Sequence, residues 1–119
     1  MQPKVTHDEN LTTQPHVNHP IFNNWDVIAQ GWFFVCKSRD LKVGKIKPFS
    51  IHGHRLAVFR GKNGQVNALD AYCPHMGTDL TIGKVVDNTI RCYFHHWRFD
   101  AGGKCVDIPC LKSRDNYPP

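Results

Sequence analysis

The sequence has no long apolar run, no apolar leader and no extended helical period, and each absence excludes a class of protein. Its longest hydrophobic stretch, Trp32–Cys36, is far shorter than the roughly 18 residues that a membrane helix needs. The first residues, Met1–Lys4, lack the apolar core of a secretory signal. We therefore expect no membrane span and no secreted precursor, and we predict a cytoplasmic protein.

Acidic residues are also scarce. Ten acids against 15 basic residues give a net charge of +5 over 119 residues, and only Asp40 falls within the basic run from Lys37 to Lys62. These basic side chains could simply be the outward positions of strands, or they could form a docking face for an acidic partner. No recognition helix, zinc finger of the usual spacing or RNA-binding aromatic motif accompanies them, so we predict no nucleic-acid partner.

The number of cysteines is not the even number that a disulfide-bonded scaffold needs. There are five, an odd number that argues against a disulfide scaffold in a chain without a secretory signal. Spaced cysteines in a reducing compartment more often bind metal, and eight histidines strengthen that interpretation. The cysteines are Cys36, Cys73, Cys92, Cys105 and Cys110.

The texture of the chain changes near Trp25. Residues 1–24 are polar and carry three prolines, so we predict a flexible N-terminal arm followed by one domain over residues 25–119. Short apolar segments broken by glycine turns, with Asn63-Gly64 typical of a tight hairpin, predict an all-β sandwich or small barrel. The predicted strands are Gly31–Cys36, Lys45–Ile51, Arg55–Arg60, Val66–Leu69, Gly83–Val86, Thr89–Arg91, Trp97–Asp100 and Lys104–Val106.

Two segments combine cysteine with histidine at short spacing. The first loop reads Cys73-Pro74-His75-Met76-Gly77 and the second reads Cys92-Tyr93-Phe94-His95-His96-Trp97. Two thiolates and two imidazoles suit a tetrahedral zinc ion, and they also suit a Rieske [2Fe–2S] centre with two cysteines on one iron and two histidines on the other. Zinc fingers usually keep cysteines in one arm and histidines in the other, whereas each arm here is mixed. The mixture favours the dinuclear cluster over zinc or a fortuitous arrangement.

A longer pattern carries a family resemblance. It reads Cys73-Pro74-His75-x-Gly77, Cys92-x-x-His95-x-Trp97-x-Phe99-Asp100, Gly103-x-Cys105 and Ile108-Pro109. It resembles the N-terminal Rieske domain of Rieske non-haem iron oxygenases, in the branch with ketosteroid hydroxylases, cholesterol desaturases and chlorophyll-type ring-hydroxylating oxygenases. The resemblance implies an antiparallel β sandwich of three small sheets with both loops at one end. It also implies Cys73 and Cys92 on an inner iron, with His75 and His95 on an outer iron that faces solvent.

Other positions near these ligands also carry expectations. We expect Met76, Gly77, His96 and Trp97 to pack around the ligands or lie at the surface without binding iron. Respiratory and photosynthetic Rieske proteins resemble this chain but have two further cysteines that form a disulfide, at the positions of Thr78 and Phe94. They also have a serine where Trp97 stands. We therefore predict a reduction potential at the low end of the Rieske range, about −150 mV.

The resemblance implies one-electron transfer as the function. We expect a reductase or acidic ferredoxin as donor and a mononuclear iron catalytic domain of an oxygenase as acceptor. The remaining histidines form no convincing facial triad for that iron, so we expect no oxygenase activity from these 119 residues alone. A free-standing Rieske ferredoxin and a zinc-stabilised binding module remain the alternatives.

Overall fold

The computed structural model describes residues 30–118, and they form two antiparallel β-sheets. The predicted arm over residues 1–24 and the start of the domain at Trp25 lie outside the described residues. Among the residues described, no helix is long and apolar enough to cross a membrane. The described part has short 3-10 turns at Ser38–Asp40, Leu80–Ile82 and Arg114–Asn116.

The first sheet is a meander of three strands in the order β1-β2-β3. Tight turns join the strands because His52, Gly53 and Gly64 adopt positive φ angles. The centre of strand β2 is buried on both faces, since Val58 is buried together with Ala57 and Phe59. The strands are β1 (Ile46–Ile51), β2 (His54–Arg60) and β3 (Val66–Asp70).

Arg60 ends β2 and ties two loops to the first sheet. Its Nε donates to the carbonyl of Leu41 at 2.6 Å, and its Nη1 donates to the carbonyl of Gly64 at 2.6 Å. Its Nη2 donates to the carbonyl and hydroxyl oxygens of Ser38 at 2.9 and 2.7 Å. The guanidinium therefore satisfies main-chain acceptors that no strand partner reaches.

The second sheet has four short strands in the order β4-β5-β6-β7. Its inner positions are Ile90 and Phe99, which pair directly and are buried. A register shift between Arg98 and Phe99 lets β6 pair with β7 while it also ends the second loop. The strands are β4 (Lys84–Val86), β5 (Thr89–Arg91), β6 (Arg98–Phe99) and β7 (Cys105–Asp107).

One hydrophobic core joins the two sheets. Phe59 of the first sheet and Ile90 of the second belong to the same buried cluster, and so do Cys73 and Cys92. Burying a side chain such as Phe59 or Ile90 stabilises the fold by about 1.5–3 kcal/mol. The first residue of each loop is therefore anchored in the hydrophobic core.

The antiparallel all-β prediction is confirmed, and seven predicted strands begin and end within one residue of their predicted bounds. The strand predicted over Gly31–Cys36 is wrong. Trp32 and Phe34 are exposed, and the structure assigns no strand there. Aromatic composition favours a strand, but a strand also needs a neighbour, and the described part of the chain supplies none. Instead of the expected three sheets, residues 30–118 contain two, with one isolated bridge between Tyr72 and Asp79.

Candidate metal centre

The two loops have the same backbone conformation. In the first loop the N–H of Cys73 donates to the carbonyl of Thr78 at 2.8 Å. In the second loop the N–H of Cys92 donates to the carbonyl of Trp97, also at 2.8 Å. The fifth residue of each loop has a positive φ angle, 79° at Gly77 and 64° at His96. Each loop is thus a closed six-residue turn, Cys73–Thr78 and Cys92–Trp97, that begins with a cysteine.

The cysteines lie at the inner end of the site. Cys73 and Cys92 are 3% and 1% exposed, and their thiols are close enough to interact. Burial raises the pKa of the Cys73 thiol, and the neighbouring Cys92 raises it further, against main-chain N–H groups of His75 and Met76 that lower it. Metal binding must therefore displace a proton from the Cys73 thiol.

The histidines lie at the outer end of the site. The Nδ1 atoms of His75 and His95 are 3.1 Å apart, and both residues are exposed. Metal–imidazole bonds are about 2.0–2.1 Å long, so two nitrogens at this separation can bind the same ion. The indole of Trp97 stacks on the His75 ring, with centroids 4.3 Å apart and planes 12° from parallel. Trp97 therefore braces a ring from the opposite loop.

The donor set fits a dinuclear cluster better than a single ion. A structural zinc ion needs four donors around one point, at about 2.0–2.3 Å. Within residues 30–118, no three His, Cys, Asp or Glu side chains converge in that way. The site instead contains a buried thiol pair and an exposed imidazole pair. A Rieske [2Fe–2S] cluster takes one such pair on each of its two irons.

Comparison with protein families decides the assignment. Residues 31–118 match the family model described as the Rieske [2Fe-2S] domain. The chain belongs to the Rieske domain family. Its cofactor is therefore a Rieske-type [2Fe–2S] cluster, as the sequence predicts.

Curated relatives of this Rieske domain are oxygenases and desaturases. It is 49% identical over 84 residues to cholesterol 7-desaturase nvd 1 of Ciona intestinalis, covering 70% of this chain and 18% of the relative. It is 47% identical over 81 residues to the oxygenase component of a 3-ketosteroid-9-alpha-monooxygenase of Rhodococcus rhodochrous, covering 68% and 21%. The chain thus spans about a fifth of the length of these relatives.

Solved structures of two kinds resemble the domain. Dicamba monooxygenase superposes with a TM-score of 0.67 at 31% identity, covering 74% of this chain and 26% of that one. The ferredoxin of carbazole 1,9a-dioxygenase from Nocardioides aromaticivorans superposes with a TM-score of 0.58 at 29% identity, covering 65% and 76%. The same fold therefore occurs inside an oxygenase and in a separate ferredoxin.

The remaining residues singled out by the sequence lie around the outer end of the site. Met76 and His96 are exposed, and Gly77 provides the positive φ angle of the first loop. The second-loop histidine whose Nδ1 meets His75 is His95, one residue before His96. None of the five cysteines forms a disulfide, so no disulfide braces the loops.

Beside the first loop lies a polar network that was not predicted from the sequence. The guanidinium of Arg55 donates from Nε to Asp79 Oδ2 at 2.7 Å. The other carboxylate oxygen of Asp79 accepts from the N–H and the hydroxyl of Thr81 at 2.9 and 2.7 Å. Burial alone would raise the pKa of Asp79, but the bonds from Thr81 and Arg55 outweigh it and hold that pKa below its usual value. Asp-x-Thr before a short turn is a recognisable capping signal, whereas nothing local marks Arg55 as its partner.

Proposed function

We propose that this Rieske domain is the electron-transfer part of an oxygenase, with Cys73 and Cys92 on the inner iron and His75 and His95 on the outer iron. The observation that carries the proposal is the 3.1 Å approach of the two exposed Nδ1 atoms beyond a buried thiol pair. When bound, the cluster takes up and releases one electron. The remaining chemistry belongs to the side chains that surround it.

The cysteines and histidines have different tasks in this proposal. The cysteines place negatively charged thiolate sulfur in the core, where water is excluded, and main-chain N–H groups of the first loop offset part of that charge. The histidines present their outer ring edges to solvent, so a partner can approach within electron-transfer distance. Met76, Tyr93 and Phe94 of the same loops are also exposed, and neither loop contains an acidic residue, Lys or Arg.

The long relatives favour an oxygenase component over a free-standing carrier. The two curated relatives described above are 47–49% identical to this chain, whereas the carbazole dioxygenase ferredoxin is 29% identical. The ferredoxin remains the second candidate because the chain covers 76% of its length. A separately purified catalytic domain that turns over only when this chain is added as a diffusing carrier would favour the ferredoxin.

The partners follow from the same relatives. A cholesterol desaturase and a 3-ketosteroid monooxygenase both act on the fused rings of steroids, which supports a catalytic domain with a steroid substrate. The basic run from Lys37 to Lys62 supports a donor with an acidic surface, such as a reductase or ferredoxin. None of the five cysteines forms a disulfide, which supports a reducing compartment, and we propose the cytoplasm.

The first experiment is an EPR spectrum of the dithionite-reduced protein, with iron and zinc counted on the same sample. We expect a rhombic signal with a low average g value and two irons per chain. One zinc, no iron and no signal in protein purified and reconstituted without oxygen would replace electron transfer with a structural metal site. The anaerobic preparation matters because it separates a zinc protein from one that has lost a fragile cluster.

A charge reversal tests the donor separately. Replacing Lys45 and Lys47 with glutamate should slow reduction by an acidic donor about tenfold at low salt, with a smaller effect as salt screens the charges. An unchanged rate and salt dependence would remove the acidic-donor proposal and leave the cluster assignment intact.

A further inference from the structure

The first loop has little strand pairing at its base. Tyr72 and Asp79 form a single isolated bridge, and the N–H of Leu80 donates to the carbonyl of Ala71 at 2.6 Å. The second loop instead joins β5 directly to β6, and these two strands pair with each other across the base of the loop. Something other than a strand ladder must hold the two sides of the first loop together.

Arg55 of β2 contacts both sides of this base. Its carbonyl accepts from the N–H of Ala71 at 2.9 Å, on the side where the chain enters the loop. Its guanidinium bonds Asp79 at 2.7 Å and reaches the hydroxyl of Thr81 at 3.4 Å, on the side where the chain leaves. One residue therefore spans the mouth of the first loop.

Asp79 is held from a second direction. Its Oδ1 caps the short turn Leu80–Ile82 through Thr81, while its Oδ2 receives the Arg55 guanidinium. The two side chains are 26% and 35% exposed, so solvent screens this ion pair less than a pair on the open surface. Both carboxylate oxygens are engaged, which leaves Asp79 a single orientation.

We propose that Arg55 is a positioning residue: acting through Asp79, it sets the conformation of the first loop and so the place of the His75 imidazole opposite His95. This inference rests on the ligand set proposed above. His75 lies two residues after Cys73, and the loop turns back on itself through the bond from the N–H of Gly77 to the carbonyl of Cys73, at 2.7 Å. Ligand positions must be held to within about 0.5 Å, so a loosened exit from the loop moves His75 out of place.

The test compares exchange and spectroscopy in the reconstituted full chain. In R55Q we expect the peptide covering residues 71–79 to exchange its amide hydrogens about tenfold faster by mass spectrometry, with the peptide covering 91–99 unchanged. We also expect cluster loss about tenfold faster than in the wild type and shifted EPR g values. R55K keeps the charge without the planar fork and should restore these properties only in part.

Arg60 provides a matched control on the same strand. It also ties loops together through several hydrogen bonds, but its partners Ser38, Leu41 and Gly64 lie outside both loops. R60Q should lower the melting temperature at least as much as R55Q does, and it should leave the g values and the exchange of both loop peptides unchanged. A purely structural role for Arg55 would make the two variants alike.

D79N extends the test by removing the carboxylate charge and leaving the Arg55 side chain in place. It should reproduce R55Q, and the double variant R55Q/D79N should be no worse than either alone. If R55Q does not fold, D79N and R55K decide the matter. Wild-type g values, cluster lifetime and first-loop exchange in the folded variants would overturn the proposal. A wild-type chain without a Rieske signal would instead refute the proposed function, and the exchange of the two peptides would still decide whether Arg55 holds the first loop.

Discussion

The two loops reach the same shape by different means. Both are closed by a bond from the cysteine N–H to a carbonyl five residues later, and both have a positive φ angle at the fifth position. The second loop is a hairpin within a sheet, whereas side chains close the base of the first. The first loop has Gly77 at the strained position, and the second has His96. Equal backbone geometry thus does not imply equal energy or equal support.

The largest expected effect tests whether both loops are needed. We expect Cys73→Ser and Cys92→Ser each to abolish the cluster, because each removes one of the two thiolates proposed for the inner iron. Iron per chain and the visible absorption band measure the loss. Cys110→Ser, at an exposed thiol outside the loops, is the control and should keep two irons. A cluster retained in either loop variant would contradict the ligand set.

The second prediction concerns what both loops lack. Neither loop carries the additional cysteine of the respiratory and photosynthetic Rieske proteins, in which the two additional cysteines form a disulfide that braces the cluster. Trp97 stands where those proteins have a serine that donates a hydrogen bond to a bridging sulfide. Fewer bonds to the cluster leave its reduced, more negative state less stabilised. We expect a reduction potential of about −150 mV by protein-film voltammetry. A value above about +100 mV would refute this prediction.

The third prediction breaks the contact between the loops. Trp97→Ala removes the half-buried indole that stacks on His75, and we expect a loss of about 2 kcal/mol in unfolding free energy, below the range for fully buried aromatics. Urea unfolding measures this loss. Trp97→Phe keeps a ring in place and should cost less than half as much. Tyr93→Ala, at an exposed position of the same loop, should cost under about 0.5 kcal/mol.

The smallest expected effect concerns the residue with a positive φ angle at the fifth position of each loop, Gly77 in the first loop and His96 in the second. Gly77→Ala should destabilise the protein by about 1 kcal/mol, since a side chain resists a φ of 79° even though its Cβ would meet no atom within 4 Å. His96→Gly should relieve the same strain and raise the free energy of unfolding. The gain should be only about 0.5 kcal/mol, because the greater freedom of glycine in the unfolded chain offsets part of it. Thermal melts of the two variants give the comparison. A destabilised His96→Gly variant would show that the His96 side chain makes a contact worth more than the strain.

Much of the fold follows from local signals. Asn63-Gly64 marks its turn because glycine adopts a positive φ angle without steric cost, as Gly64 does here at 84°. Strand β2 is predictable because its apolar residues are bounded by turns. The strand predicted at Gly31–Cys36 shows the limit of such signals. Its aromatic residues favour extended backbone, but hydrogen bonding to a neighbour is a tertiary property that a single segment does not encode.

Some features of the candidate site could likewise be predicted from the sequence and others could not. The types and spacing of the cysteines and histidines are written in the sequence, because a Rieske cluster requires two thiolates and two imidazoles from two loops. The choice of His95 over His96 also follows from the spacing that the family resemblance supplies. The pairing of Arg55 with Asp79 does not, since the two residues are 24 positions apart and no local pattern joins them.

The sequence by itself therefore determined the cofactor class, the four proposed ligands, the antiparallel β class and seven of the strands. The tertiary structure alone decided that the thiols are buried while the imidazoles face solvent, that Trp97 reaches across to His75, and that Arg55 closes the first loop. The physical reason is distance along the chain. Turns and alternating strands arise between near neighbours, whereas burial, stacking and ion pairing depend on which remote segments the core brings together.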